Sequence, residues 1–194
     1  MQGMIEKRGS IGIIWIDNPP VNAISHAVRE GLIKAVENAS KDSEIKGLVL
    51  ACRGRTFMAG ADITEFASGV KPPWLGEVID TMSESSKVIV AAIFGTTFGG
   101  GLEVALGCNY RIADSNTKIG LPEVKLGIIP GAQGTQRLSR VSSVEFALKL
   151  ATLGNPVGAQ EALEAGAIDK ISNGELIDDA VSYACLLYTS PSPR

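Results

Sequence analysis

The chain has 194 residues, of which 45% are hydrophobic and 20% are charged, and its net charge is −3. This length supports one good core rather than two ordinary domains, and a small negative charge without a basic stripe argues against nucleic acid as the main partner. The three cysteines are too scattered for a disulfide framework or a zinc site, so a reducing compartment is expected.

The N-terminal segments predict a strand followed by an amphipathic helix. Residues 11–16 are mostly apolar and are followed by Asn18-Pro19-Pro20, which stops a strand. Ser25 can cap a helix, and the apolar residues after it recur at helical spacing. The recurring positions are Val28, Leu32, Ala35, Val36 and Ala39. Arg29 and Lys34 are placed elsewhere on the helical circle, so the helix is expected to pack one face only.

Strands and helices continue to alternate along the rest of the chain. We predict strands over 45–51, 88–94 and 110–113, helices over 75–86 and 102–108, and several helical segments between 135 and 184. A short segment beginning at Ala61 is expected to carry a capping box formed by Asp62 and Glu65. The alternation indicates an α/β fold.

Two features bear on where the protein is found. The longest apolar run, over 88–94, is far too short to cross a bilayer, so no membrane span is predicted. The N-terminus lacks the apolar core of a secretory signal, and an intracellular protein is therefore expected.

The last ten residues, 185–194, break the alternating pattern. One reading frame of a transposase sequencing adapter encodes the same peptide, which suggests a tail that is not native. The hypothesis is that the natural protein continues past Ala184, and the alternative is an ordinary short tail rich in proline and serine.

Two glycine-containing segments could bind an anion. The small residues of 57–63 let a ligand approach the backbone, although a tight turn into a helix explains them equally well. In Gly99-Gly100-Gly101-Leu102-Glu103 the glycines open a helix, whose unpaired N–H groups suit an oxyanion. The Lys-Ser/Thr pair of a phosphate loop is absent. Glu103 is either an exposed charge on this helix or a carboxylate in an apolar pocket.

Two later segments complete the set of candidates. Glu123 is the lone acid in an apolar stretch after a strand, and it is either a functional carboxylate or an ordinary acid at a helix N-terminus after proline. Residues 130–138 form a glycine-containing turn that leads into a helix, which by itself predicts only a loop and a helix start.

Together these four segments resemble the crotonase (enoyl-CoA hydratase/isomerase) superfamily from about Ile11 to Ala184. The order Ala-Gly-Ala-Asp-Ile, Gly-Gly-Gly-Leu-Glu, Leu-Pro-Glu and Pro-Gly-x-x-Gly-Thr-Gln-Arg-Leu matches that of the family. The resemblance is closest to the N-terminal hydratase/isomerase domain of multifunctional β-oxidation enzymes, as Pro20-Val21-Asn22-Ala23 and Tyr110-Arg111-Ile112-Ala113 indicate. Asn109 and Gln133 depart from the histidine and glycine common in that branch, and Thr97-Phe98 replace a smaller apolar pair. These departures bear on acyl-chain preference.

The resemblance implies a crotonase-type spiral of repeated ββα units over residues 1–184, incomplete at its C-terminus, with 185–194 as the tail. Helices that cover the acyl pocket and allow oligomer formation would lie beyond Ala184. A 3-hydroxyacyl-CoA dehydrogenase domain would follow, and NAD is expected only there. The location implied is the cytoplasm of a bacterium or the peroxisome of a eukaryote.

The resemblance also implies a role for each candidate residue in hydrating trans-2-enoyl-CoA. The backbone N–H groups of Ala61 and Gly100 would form the oxyanion hole, Glu103 would be the base and Glu123 the acid. Residues that would line the groove for coenzyme A are Gly60, Asp62 and Ile63, and Gly131 would orient the water or Glu123. No metal or redox cofactor is expected, because coenzyme A is part of the substrate.

Two alternative functions and the role of three cationic residues remain open from the sequence. A Δ3-Δ2-enoyl-CoA isomerase could use one glutamate to move a proton. A non-catalytic acyl-CoA-binding or assembly subunit would keep the fold without turnover. On the loops, Arg53, Arg55 and Lys71 are either contacts for coenzyme A phosphates or plain surface charges.

Overall fold

A six-stranded sheet forms the centre of the computed structural model, which describes residues 3–65 and 69–189. Its strands, in spatial order, are β1 (Met4–Arg8), β2 (Ile11–Ile16), β3 (Gly47–Cys52), β4 (Val88–Ile93), β6 (Tyr110–Ala113) and β9 (Lys170–Ile171). The pair β1 and β2 is antiparallel, and every other neighbouring pair is parallel. Long crossover connections between the parallel strands carry the helices, as expected for an α/β fold.

A second, three-stranded sheet lies beside the first. Its strands, in spatial order, are β5 (Thr96–Phe98), β7 (Lys118–Gly120) and β8 (Val157–Gly158). The pair β5 and β7 is parallel, and β8 pairs antiparallel with β7. A parallel bridge between Met58 and Thr97 joins the loop after β3 to this sheet.

The helices occupy the connections that the sequence pattern predicted. They are α1 (His26–Lys41), α2 (Leu75–Ser83), α3 (Gly100–Gly107), α4 (Gly134–Val141), α5 (Val144–Leu153), α6 (Ala159–Glu164) and α7 (Leu176–Thr189), with a short 3-10 helix at Pro122–Leu126. Helix α2 ends at Ser83, earlier than the predicted residue 86. The Ser83 hydroxyl donates to the Asp80 carbonyl at 3.1 Å, and such local side-chain bonds compete with helix continuation.

Helix α1 begins as predicted but buries two residues besides its apolar stripe, Arg29 and Gly31. The Ser25 hydroxyl accepts a hydrogen bond from the Val28 N–H at 3.4 Å, which is the expected cap. The placement of Arg29 on the polar side is wrong, because this residue is only 3% exposed. Its guanidinium donates to the carbonyl oxygens of Lys71 and Pro73 at 3.0 and 2.7 Å. Arg29 therefore ties α1 to the loop that precedes α2.

The capping box predicted for Asp62 and Glu65 is also wrong. Asp62 Oδ1 accepts from the N–H and the hydroxyl of Thr64, at 3.0 and 2.7 Å. The Glu65 carboxylate instead pairs with Arg29 at 2.9 Å and accepts from the His26 N–H. A buried guanidinium requires a partner charge, and this need outweighs a local cap at Glu65.

Apolar residues cover both faces of the central sheet. Strands β2 and β3 are buried throughout, as is typical of parallel strands covered on both sides. In β2, Ile14 and Ile16 join the core that includes α1, whereas Ile13 and Trp15 join a second core that includes Ala180 of α7.

Helix α7 includes residues 185–189 of the predicted tail. Cys185 and Leu187 are partly buried against the second core. Residues 190–194 lie outside the described residues, and the non-native origin of 185–194 stays a prediction. Over residues 3–65 and 69–189, no helix combines the length and apolar character that a membrane crossing requires.

Close packing of α3 on the loop after β3 gives the first testable expectation. A Cβ atom at Gly101 would lie 2.1 Å from the Met58 carbonyl oxygen and 2.7 Å from its carbon. Gly101→Ala should therefore lower the free energy of unfolding by roughly 2 kcal/mol or more, as measured by urea denaturation. Gly174→Ala, where a Cβ meets nothing within 4 Å, is the control. Equal stability of both variants would contradict this packing.

Candidate active site

A cleft of about 500 Å³ opens beside the start of α3 and the 3-10 helix. Every residue predicted as a site residue from the sequence lies in its wall. These residues are Gly60, Ala61, Asp62, Ile63, Gly100, Glu103, Glu123 and Gly131. Four segments that are distant in the chain therefore meet at one place.

The parallel strands explain why these segments converge. The Ala61 segment follows β3, helix α3 follows β5, and the 3-10 helix follows β7. Two backbone bonds join them, from Phe98 N–H to the Met58 carbonyl at 3.2 Å and from Gly99 N–H to the Gly120 carbonyl at 2.9 Å. Strands β5 and β7 are parallel neighbours, and the Met58–Thr97 bridge adds the loop after β3 to their sheet, so the segments that follow these strands and this bridge meet in a common crevice.

The amide groups of Ala61 and Gly100 lie close together in this crevice. An ideal Cβ at Gly100 would be 3.6 Å from the Ala61 nitrogen. On one side of the Ala61 segment, the Ile24 N–H donates to the Gly60 carbonyl and the Asp62 N–H donates to the Ile24 carbonyl. The intervening Ala61 N–H faces the other way, as alternation in an extended segment requires.

Both amide groups are available to a ligand. Gly100 is the first residue of α3, so its N–H has no acceptor within the helix. Among residues 3–65 and 69–189, neither the Ala61 N–H nor the Gly100 N–H has a hydrogen-bond partner. Two adjacent unpaired donors at the positive end of a helix favour a developing negative charge on oxygen.

Glu103 is a buried carboxylate that the backbone holds in place. It is 3% exposed, so the exposed alternative left open by the sequence is wrong. Its Oε1 accepts from the N–H groups of Ala132 and Gly134 at 2.8 and 2.9 Å. Burial raises the pKa of Glu103, and these two hydrogen bonds oppose the rise. A Cβ at Gly134 would lie 2.8 Å from Glu103 Cγ, so glycine is needed there.

Glu123 is a second buried carboxylate, with fewer partners. It is 8% exposed and lies in the first turn of the 3-10 helix. Within the described part of the chain, its Oε2 is buried without a hydrogen-bond partner. Burial raises the pKa of Glu123, its own backbone N–H opposes this, and the negative charge of Glu103 adds to the rise. A buried polar atom without a partner in a cleft is a position where a ligand or water can bind.

The raised pKa of Glu123 predicts a pH-dependent gain in stability when its charge is removed. At pH values above the raised pKa, the ionised Glu123 carboxylate lowers the free energy of unfolding. This destabilisation disappears as the pH falls below 4.5, the ordinary pKa of a glutamate. Glu123→Gln should therefore denature at a higher urea concentration than the wild type at neutral pH, and the difference should shrink toward pH 4.5. Glu37→Gln, at an exposed position, is the control. A destabilised Glu123→Gln at neutral pH would contradict the expectation.

The cleft has an exposed apolar rim. Ile63, predicted to contact coenzyme A, is 72% exposed, and Leu126, Ile129 and Trp74 are 70%, 82% and 50% exposed. Apolar side chains grouped in this way around an opening indicate a binding surface.

The cationic residues considered for coenzyme A phosphates do not line the cleft. The guanidinium of Arg53 lies 3.5 Å from the ring centroid of Trp15, and Arg55 and Lys71 are absent from the wall. Arg29 does line it. Among the described residues, no group of three or more His, Cys, Asp or Glu side chains is arranged to hold a metal ion.

The role predicted for Gly131, to orient the water or Glu123, stays a prediction. Gly131 lies in the cleft wall, but the hydrogen bonds from its turn go to Glu103 rather than to Glu123. The sequence did not single out Ala132 or Gly134 as donors. The only available signal was their place in a glycine-containing turn before a helix.

Known proteins share both sequence and fold with this chain. The family model described as enoyl-CoA hydratase/isomerase matches residues 6–192. A peroxisomal bifunctional enzyme of Cavia porcellus is 44% identical over 189 residues, which cover 95% of this chain and 26% of that protein. A probable enoyl-CoA hydratase of Bacillus subtilis is 38% identical over 193 residues, which cover 95% of this chain and 74% of that protein.

A solved structure of an enoyl-CoA hydratase from Bacillus anthracis has a TM-score of 0.87 at 30% identity, covering 93% of this chain and 74% of that one. This likeness confirms the predicted crotonase-type α/β fold. The chain spans only about a quarter of the length of the bifunctional relatives, 26% and 24% in two of them.

The family match extends over nearly the whole chain, and the fold brings the motifs of the resemblance together around one cleft. This chain belongs to the enoyl-CoA hydratase/isomerase family.

Proposed function

We propose that the cleft adds water to trans-2-enoyl-CoA to give 3-hydroxyacyl-CoA, the hydration step of fatty-acid β-oxidation. One observation carries the proposal: two buried carboxylates, Glu103 and Glu123, share a cleft with the unpaired N–H groups of Ala61 and Gly100. A single carboxylate would be enough to move a proton within an enoyl chain. The presence of two favours addition of water over isomerisation.

The amide groups would act on the thioester carbonyl. If the Ala61 and Gly100 N–H groups donate to this oxygen, the β-carbon becomes electrophilic and the enolate formed on attack is stabilised. The fixed backbone donors need no reorganisation as charge develops. Such preorganised donors are often the largest single contribution to catalysis.

The two glutamates would divide the proton transfers. Glu103 accepts a proton from water as the water oxygen bonds to the β-carbon, and the electrons of the double bond move toward the carbonyl. Protonated Glu123 then gives its proton to the α-carbon. Transfer of the proton from Glu103 back to Glu123 resets the site, so that one water is consumed. The raised pKa of Glu123 favours its protonated form, which the acid role requires.

The rest of the cleft supports an extended acyl-CoA substrate. Gly60, Asp62 and Ile63 are proposed to contact coenzyme A, since they adjoin Ala61 along the wall. The apolar residues of the rim would contact the acyl chain. The dehydrogenase domain, its NAD, the oligomer and the cellular location stay predictions.

The direct test is incubation of the protein with crotonyl-CoA in water enriched in ¹⁸O. Hydration predicts loss of the conjugated enoyl absorbance and one ¹⁸O atom in the product. A 3-enoyl-CoA converted without incorporation of ¹⁸O, with crotonyl-CoA left unchanged, would identify an isomerase instead. Crotonyl-CoA that binds but never reacts would identify a non-catalytic subunit.

A further inference from the structure

Gln133 has an unusual backbone conformation and is an unusual N-cap residue, and it lies in the turn whose N–H groups bind Glu103. It lies between Ala132 and Gly134, the two residues whose N–H groups bind Glu103 Oε1. Its φ is 74°, in the left-handed region, and it is the N-cap of α4 without a side-chain capping bond. Glutamine is uncommon in this conformation, and N-caps are usually Ser, Thr, Asp or Asn in extended conformation. Local strain of this kind needs support from the surrounding structure.

The side chain of Gln133 provides a network that can supply this support. Its Nε2 donates to Asp80 Oδ1 of α2 at 2.8 Å, and its Oε1 accepts from Arg137 Nε at 2.8 Å. Arg137 also donates to the Ser83 hydroxyl at 3.1 Å. Both ends of the amide are therefore bonded, one to α2 and one to α4.

We propose that Gln133 is a positioning residue, whose bonds to Asp80 and Arg137 hold the left-handed turn that aims the Ala132 and Gly134 N–H groups at Glu103. This inference rests on the proposed role of Glu103 as the base. Without the network, the turn would leave the left-handed conformation part of the time, and Glu103 would lose its two donors in that fraction of molecules. Glycine adopts this conformation without strain, so it would not need the network.

The test compares three single variants in hydration of crotonyl-CoA. Gln133→Ala keeps the strained left-handed backbone but removes the side-chain hydrogen bonds to Asp80 and Arg137. We therefore expect kcat to fall about tenfold, while KM stays within about twofold of the wild-type value. Gln133→Gly should restore kcat to within about twofold of the wild type, because the backbone is relaxed. Gln136→Ala, the same change at an exposed position of α4, should resemble the wild type. Equal kcat for Gln133→Ala and the wild type would overturn the proposal.

A pH profile separates positioning of Glu103 from a general loss of structure. Removing the two donors raises the pKa of Glu103 further, so the acidic limb of kcat/KM should move to higher pH in Gln133→Ala and stay in place in Gln133→Gly. The charged groups on the surrounding elements include Arg29, Asp62, Glu65 and Glu123 in the cleft wall, Glu77 and Asp80 of α2 and Arg137 of α4, and all are retained in both variants. An unmoved acidic limb in Gln133→Ala would also overturn the proposal.

Removing Asp80 tests the network without changing the turn residue. Asp80→Ala should lower kcat in the wild type and have no effect in the Gln133→Gly background, because a relaxed turn does not need the bond. Equal losses in both backgrounds would show that Asp80 acts by another route and would contradict the proposal. Absence of hydration by the wild-type protein would instead contradict the proposed function, so the two failures are distinguishable.

Discussion

Replacing Glu103 or Glu123 with Gln should lower the hydration rate by about 10²- to 10⁴-fold, because each change removes one proton-transfer group from the cleft. Glutamine keeps the shape of the side chain, and at position 103 its carbonyl oxygen can still accept from Ala132 and Gly134. The loss should therefore appear in kcat. The measurement is the steady-state rate with crotonyl-CoA.

The matched control is Glu37→Gln, an identical chemical change at an exposed position of α1. It should leave kcat unchanged. Wild-type turnover in either cleft variant would remove that glutamate from the mechanism. If both losses were small, the hydration mechanism itself would be wrong.

Ala61→Pro should lower the rate by roughly 100-fold, because proline removes one of the two N–H groups proposed to bind the thioester oxygen. The bonds that Ile24 makes with Gly60 and Asp62 on the other side of the segment do not use this N–H. The fold should therefore persist, and circular dichroism checks this.

Ala61→Ser is the control, since it changes an exposed side chain and keeps the N–H. Its rate should remain close to that of the wild type. A folded Ala61→Pro protein with full activity would show that the oxyanion hole lies elsewhere.

The local patterns of the sequence were enough to predict the strands β2, β3, β4 and β6 and most of the helices, whereas β1 and the short strands β5, β8 and β9 were not predicted. The strand Ile11–Ile16 and the helix after Ser25 could be predicted because their apolar positions follow the period of each element. The site residues were proposed from the order of four motifs, and the structure places them around one cleft. For Glu103, the sequence alone left open whether the side chain is exposed or buried. The turn whose N–H groups donate to its Oε1 decides between the two.

The incorrect predictions concern residues whose burial or pairing depends on residues that are distant in the chain. Arg29 was placed with the polar residues, although it precedes Val36 by seven residues and so lies on nearly the same face of α1. Its burial depends on the carbonyl oxygens of Lys71 and Pro73, which no local pattern reveals. Glu65 was assigned to a cap for the same reason, because its partner Arg29 belongs to another element.

The way the cleft is assembled has a consequence for folding. Its wall combines segments after β3, β5 and β7 with the turn before α4, so no contiguous stretch of chain can form it. Parallel strand pairing closes long loops and is intrinsically slow. Formation of a local element such as α1 does not by itself create any part of this wall that can bind a ligand. Recovery of activity during refolding would therefore follow the last cooperative step, well after helical structure returns.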